Sequence, residues 1–436
     1  MRSNRSVLFS LLLGLLVLLM VPASSDAASG SKTARTITVY NPSGVRESGQ
    51  FVDEVLLQSM KTQNISRPRD AARFPKARTE TVPAKSDGYD EINELFYRRG
   101  WTDGLPIVPP TPERVAHMLE GADFSPEDTV ATLDPMGGKA TIEKIAVNAV
   151  MAGCLPAHLP LLIAAVEAAS RPEFDLRGVT TTTNPDAPLM IVSGPFVKDL
   201  GINSGTNAFG RGWRANTTIS RAFHLILQNV GGSWPGVTDM STMGQPGDIV
   251  MLFAENAEAN PWEPIHQALG LPAAANAVTV VSAESFSGIL GIGQTRPGFL
   301  NLIASWMKGH DRPYRSDLVI VIAQDTARML AQEGWTKASI EAYLRNKAKV
   351  PFKEFKEQFI DTNMASINRG VPAWAFKVTD PEQLVDKPFV DRFLIVVAGG
   401  TGEKSMLIPG WAGGRAVCQE VRLPANWKEL TAESRE

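Results

Sequence analysis

The sequence predicts an α/β protein: a mixed, largely parallel sheet covered by helices, preceded by a signal peptide and an extended N-terminal arm. Three observations carry this reading. Four short runs, APLMIVSG, AVTVVSAE, DLVIVIAQ and DRFLIVVAGG, are rich in Val and Ile and almost continuously apolar, as strands buried on both faces are. Stretches of helical spacing lie among them, TTISRAFHLILQNVGG, DTARMLAQEGW and TKASIEAYLRNKA, and strands alternating with helices argue for an α/β domain. A basic start followed by an apolar run opens the chain.

That opening sets the compartment. Arg2 and Arg5 precede the run Val7 to Val21, and Ser25-Asp26-Ala27 puts small residues where a signal peptidase reads. Residues 1–27 read as a secretory signal peptide, cleaved after Ala27. The run is short for a membrane span, and no other segment is apolar enough to cross a bilayer. The expectation is an exported protein, periplasmic or extracellular, with no stable membrane insertion after cleavage. Disulfides form in such compartments, so Cys154 and Cys418 either pair or remain free thiols.

Residues 28–88 are polar and mildly basic, with scattered Pro, Ser and Arg. They read as an arm or linker containing a short strand at TITVY and a short amphipathic helix at FVDEVLLQSM. The folded body, 89–436, starts with the helix DGYDEINELFYRRGW, whose Ile92, Leu95 and Phe96 share a face. Pro106, Pro109 and Pro110 then hold WTDGLPIVPP extended. Thr111 caps a helix with Pro112 in its first position. Asp325 and Thr336 read as further caps, and Gly231 and Gly334 as stops.

The stretch TIEKIAVNAVMAGC, residues 141–154, forms a helix with no wholly polar side, so it is enclosed almost all round. Burying Glu143 or Lys144 without a partner costs several kcal/mol. Each should therefore be paired or face a wet cavity with Asn148, unless the charges merely reach solvent near the first turn. Cys154 points into the same space or into plain core.

GINSGTNAFGRGWRANTTISRAFHLI, residues 201–226, is the other strong local signal. Its glycines allow backbone N–H groups to converge on an anion, and the helix that starts at Asn216 or Thr217 favours negative charge at its N-terminus. Arg211 and Arg214 flank it and suit a carboxylate or phosphate. An ordinary glycine-rich surface loop with solvated arginines is the plain alternative. His224 shares a helical stripe with Arg221 and Gln228, which reads as a solvated face.

Composition excludes several classes. A net charge of −3 over 436 residues gives no basic excess for nucleic acid. Five scattered His and no Cys-x-x-Cys leave no metal-ligand cluster, and no organic cofactor is called for. GGTGEKS at 399–405 fails the spacing of a phosphate loop and reads as a turn.

WTDGLPIVPPT, IEKIAVNAVMAGC, LGINSG, GRGWRANTTISRA, NVGGSWPG and AENAEANPW, in that order, resemble the large domain of bacterial UGSC-like proteins over about residues 95–350. LIVVAGGTGEKSMLIPGW extends the likeness towards the C-terminus. Some relatives fuse this domain to thioredoxin-like or selenocysteine- or cysteine-containing modules, and the family carries no established reaction. The resemblance implies motif positions for Trp101, Asp103, Glu143, Lys144, Asn148, Cys154, Asn203, Arg214, Asn216 and Arg221. This chain lacks the UGSC motif itself and has Ser193-Gly194-Pro195 where the family pattern has NGP.

Together these readings predict an exported enzyme that hydrolyses or eliminates at a carbon–heteroatom bond of a small anionic molecule, without a cofactor or metal. Glu143, Lys144 and Cys154 are the catalytic candidates; Asp103, Asn148, Asn203, Arg211, Arg214 and Asn216 are the substrate-binding ones. The alternative is a non-catalytic exported small-molecule-binding protein. Association into a homo-oligomer is left open.

Overall fold

A computed structural model describes residues 35–43, 78–85, 87–310, 316–361, 373–387, 390–411 and 413–433. The expected signal peptide and the segment FVDEVLLQSM lie outside them. Within the arm, β1 (Arg35–Tyr40) and β2 (Thr79–Ala84) pair antiparallel. Val39 and Val82 turn inward to join the main core, so this part of the arm is an element of the fold.

Helix α1 (Tyr89–Arg98) buries Ile92 and Phe96. The proline-rich stretch after it is extended, and α2 (Pro112–Leu119) begins on its proline. A hairpin that the sequence did not reveal, β3 (Thr129–Leu133) with β4 (Gly138–Thr141), leads into α3 (Ile142–Ala152). Thr141 Oγ1 caps α3 by accepting from Lys144 N at 3.2 Å. Gly153, at φ 86°, ends it in the left-handed conformation that a side chain would strain. All of α3 except Lys144 is buried, as the absence of a polar side requires. Helix α4 (Leu159–Ala169) is apolar nearly all round, and α5 (Arg214–Ile226) is amphipathic.

The four apolar runs form strands: β5 (Ala187–Ser193), β7 (Ala277–Ala283), β9 (Ser316–Ile322) and β12 (Val390–Val397). They do not lie in one sheet. One four-stranded sheet has the order β14-β7-β5-β6, where β6 is Leu252–Ala254 and β14 is Val417–Glu420. The other has the order β12-β9-β13-β8, where β8 is Ser287–Leu290 and β13 is Lys404–Pro409. The expectation of a largely parallel sheet is corrected. Within these two sheets β5–β6 and β9–β12 are parallel and the other four pairings antiparallel, as is a separate ribbon of β10 (Lys349–Pro351) with β11 (Leu384–Asp386).

Alternation along the strands shows how the sheets stack. Leu189 and Ile191 of β5 share a cluster with Val319 and Val321 of β9 and with Leu394 and Val396 of β12. Their neighbours point the other way. Met190 and Val192 join α3, α4 and α5. Ile320, Ile322, Ile395 and Val397 join α6 (Arg296–Gly309), α7 (Gln324–Gln332) and α8 (Lys337–Lys347). The architecture is therefore helices, sheet, sheet, helices. Each inner strand is covered by a sheet on one face and helices on the other, which is why it reads as continuously apolar.

Thr336 caps α8 as expected, accepting from Ser339 N at 3.1 Å. Asp325 does not cap α7. It lies inside the first turn, and its Oδ2 accepts from Gly402 N at 2.7 Å, tying the GGTGEKS turn to this helix.

Candidate functional site

The polar side chains of α3 hold the N-terminal arm. Glu143 is buried and forms an ion pair with Arg78, just before β2. Lys144 Nζ donates to the carbonyl of Asn41, just after β1. Asn148, fully buried, donates from Nδ2 to the carbonyls of Pro42 at 3.3 Å and Lys144 at 2.9 Å. Its Oδ1 accepts from Asn229 Nδ2 at 2.8 Å, and the same amide donates to the carbonyl of Trp101 at 2.9 Å. A core helix keeps these groups because each meets a polar group of the arm or the loop. Asn148→Leu leaves the Pro42 carbonyl without this donor and Asn229 with one acceptor fewer; the expected loss is about 2 kcal/mol in urea denaturation.

The expected hollow shared by α3 and the arginine-flanked loop is not formed among the described residues. Arg214 sits at the far end of α3, donating from Nε and Nη2 to the carbonyl of Gly153 at 3.2 and 3.0 Å. Eleven residues of helix put that end about 15 Å from Glu143. Arg211 is exposed, as is the whole stretch 211–214. Asn203 and Asn216 brace the loop against itself: Asn216 Oδ1 accepts from Asn203 N at 2.8 Å, and its Nδ2 donates to the carbonyls of Asn203 and Ala208. Arg214 thus serves a helix end, where a cation is favoured.

Cys154 and Cys418 are both free. Burial pushes the Cys154 thiol up to about 12, against the lowering effects of the Thr218 hydrogen bond and the Arg214 and Arg221 charges. The thiolate needed for nucleophilic attack is therefore absent at neutral pH. Cys154→Ser is expected to leave any turnover within about twofold, measured as initial rate at matched protein concentration.

Asp103 is the predicted site residue that lines a cleft. Helix α5 runs into one π turn, Leu227–Gly231, a feature frequent at functional sites. From this turn Gln228 Nε2 donates to the carbonyls of Gly100 and Thr102, at 2.8 and 3.0 Å. Two turns earlier, Arg221 makes a two-pronged pair with Asp103, Nε to Oδ2 at 2.7 Å and Nη2 to Oδ1 at 2.8 Å. Arg221 Nη2 also reaches the Pro106 carbonyl at 2.9 Å. The stripe of Arg221, His224 and Gln228, expected to be solvated, instead faces the WTDGLP segment.

Two adjoining chambers open there and share Asp103, Gln228, Pro235 and Asp248 as walls. The inner one, about 100 Å³, adds Thr180, Asp186, His224, Ser233 and Asp239. The outer one, about 270 Å³, adds Tyr97, Thr102, Gly104 and Ile249. Thr180, Asp186, Ser233, Pro235, Asp239 and Asp248 come from the segments TTTTNPD and GGSWPGVTDMSTMGQPGD, which flank strands and supply turns. Asp239 Oδ1 accepts from Ser241 N at 2.9 Å, Asp248 Oδ2 from Gln245 N at 3.1 Å, and Asp186 Oδ2 from Ser282 Oγ at 2.7 Å. A neighbouring donor thus orients each of these three carboxylates.

Desolvation dominates the electrostatics. It raises Asp248 to about 6, and the neighbouring Asp239 adds repulsion while the Gln245 hydrogen bond offsets part of the rise. Asp239 is raised as well, by burial first. Burial lowers His224 to about 4, against the raising effects of Asp103 and of a hydrogen bond to the Pro188 backbone. Nε2 of His224 is enclosed and has no hydrogen-bond partner in the protein. With the ring's proton on Nδ1, Nε2 presents a lone pair in a chamber wall.

Among the described residues no three His, Cys, Asp or Glu side chains are grouped to hold a metal ion. None of the described helices is long and apolar enough to cross a membrane. Another cleft of about 270 Å³ lies beside α4, lined by Phe124, Pro160, Ile163 and Leu423. Its floor is apolar, and its Asp123 and Glu167 carboxylates already accept from Ala425 N and Gln419 Nε2. The buried pair His266 Nδ1 to Ser193 Oγ, 2.9 Å, is closed off by the Ala273 carbonyl at Nε2.

No protein-family model and no curated protein matches this chain. Its class rests on its own architecture: a four-layer α/β protein with an acidic two-chamber cleft on the helical face of one sheet.

Proposed function

We propose that this protein is an exported enzyme performing hydrolysis or elimination at a carbon–heteroatom bond by proton transfer within the acidic cleft. The observation that carries the reading is the unpartnered Nε2 of His224 in the same chamber wall as Asp248. Neutral His224 is the proton acceptor, taking a proton from water or from carbon. Protonated Asp248 is the donor, delivering its proton to the departing heteroatom. His224 is neutral above about pH 4 and Asp248 is protonated below about pH 6, so the two forms coexist between those values and turnover peaks near pH 5. Gln228, Thr180 and Ser233 orient the substrate. Glu143, Lys144 and Cys154 have no part in this scheme, and neither Arg211 nor Arg214 lines any of the clefts described above. Kinship with the UGSC-like large domain belongs to the same proposal and rests on the ordered motifs alone.

The test is a mass-spectrometric screen of small amides, esters and β-substituted amines at pH 5 and pH 8. Turnover is expected at pH 5 and is expected to fall by about 10²–10⁴ in His224→Gln. A product that forms equally well in His224→Gln and Asp248→Asn would overturn the scheme. A ligand that binds unchanged to wild type and His224→Gln, and is never altered, favours a binding protein with the same pocket.

A further inference from the structure

We infer that the substrate is a small primary carboxamide, seated with its –NH2 in the inner chamber and its carbon body in the outer one. This rests on the acid–base scheme proposed above and adds the chemical class of what enters the cleft. Two wall side chains have their polar hydrogens committed to backbone carbonyls. Thr180 donates its one hydroxyl hydrogen to Leu176 at 2.7 Å. Gln228 donates from Nε2 to Gly100 and Thr102, at 2.8 and 3.0 Å. Both partners of that amide are carbonyls, so its nitrogen must face them, and Oε1 is what Gln228 has left to offer a ligand. A third wall residue, His224, keeps Nε2 enclosed and without a hydrogen-bond partner in the protein. On all three side chains the remaining capacity is to accept.

A head group that suits these atoms brings hydrogens; a methyl or an oxygen in its place leaves their lone pairs unanswered. The –NH2 of a carboxamide brings two, one for Thr180 Oγ1 and one for Gln228 Oε1, and leaves His224 Nε2 for the attacking water. A simple amine offers similar hydrogens, but its nitrogen stands on a saturated carbon, whereas a carboxamide sets it on a carbonyl carbon that water attacks. Hydrolysis then balances with water alone as co-reactant. The water oxygen bonds to the carbonyl carbon and its proton passes to Nε2. The carbon–nitrogen bond breaks, Asp248 gives its proton to the departing nitrogen, and the products are a carboxylic acid and ammonia. The imidazolium returns its proton to Asp248 through water. Size agrees with this division: the inner chamber, about 100 Å³, is below the roughly 300–1,000 Å³ of a whole small-molecule site and receives a head group. The outer chamber takes the carbon body against Tyr97, Pro235 and Ile249.

Ligand-observed nuclear magnetic resonance titration of the full chain with three isosteres tests this: butanamide, 2-pentanone and butanoate, which share a propyl group on a carbonyl carbon and differ in the head. Butanamide is expected to bind at least about tenfold tighter than 2-pentanone, whose methyl replaces the –NH2, and tighter than butanoate. In Thr180→Val, which keeps the shape and removes the acceptor, the gap between butanamide and 2-pentanone is expected to narrow about fivefold, and in Thr180→Ser to return. Should the valine variant prove poorly folded, the three isosteres on the wild type decide alone. Release of ammonia from butanamide is expected at pH 5. Either isostere binding as tightly as butanamide, no butanamide binding up to about 50 mM, or a gap unchanged in a folded Thr180→Val would overturn the inference. Butanamide that binds selectively and is never hydrolysed keeps the carboxamide as the ligand of the cleft and sinks the acid–base scheme. Hydrolysis of methyl butanoate by a protein that neither binds nor hydrolyses butanamide does the reverse.

Discussion

Replacing Arg221 by methionine is expected to destabilise the protein by about 3–5 kcal/mol, the cost of breaking a buried ion pair from one side. The side chains of Arg221 and Asp103 are 12% and 10% exposed, so solvent cannot take over when the guanidinium goes. Asp103 keeps its charge next to the other acids of the cleft, and the Pro106 carbonyl loses its donor. Urea denaturation at pH 7.5 reads the loss directly. The double variant Arg221→Met with Asp103→Asn removes the orphaned charge and is expected to recover more than half of it. A single-variant cost below about 1 kcal/mol, the level of a surface pair, would mean that the WTDGLP segment is not pinned to α5 as described.

Asp248→Asn is expected to separate stability from activity. The native fold holds this carboxyl at about 6 against an ordinary 3.8. Between those values the folded state binds the proton more tightly than the unfolded chain, so stability falls as pH rises through the window. Above about pH 6 the folded protein carries the full penalty, and below about pH 4 it carries none. Each pKa unit corresponds to about 1.4 kcal/mol. Asp248 retains partial exposure, so screening reduces the gain from removing its charge to about 1–2 kcal/mol. The asparagine variant should therefore unfold a few degrees higher at pH 7.5 and at the same temperature at pH 4, while turnover falls by about 10²–10⁴ at every pH. An unchanged melting temperature at both pH values would contradict the burial of this carboxyl.

The main strands and helices were legible because burial leaves a period in the sequence. APLMIVSG and DLVIVIAQ had to be strands enclosed on both sides, and α3 had to be surrounded. The cover of each strand was not legible: a helix and a second sheet are equally apolar, so one largely parallel sheet and two stacked mixed sheets share one pattern. Short edge elements such as β8, Ser287–Leu290, carry too few alternations to stand out.

At the site, Asp103 was found through its motif. His224 was missed because a stripe of Arg, His and Gln on a helix has the composition of a wet face, and the WTDGLP segment that this stripe faces lies far away in the sequence. The loop arginines misled for the converse reason. Arg214 spends its charge on the carbonyl of Gly153, and nothing local in the sequence announces that partner.

The most direct test is nuclear magnetic resonance of the imidazole nitrogens of His224, assigned by comparison with His224→Gln, across pH. A neutral ring protonated on Nδ1 and titrating near pH 4 is the predicted result. A ring that titrates near pH 6.5 would show that the chamber is open water and not a site.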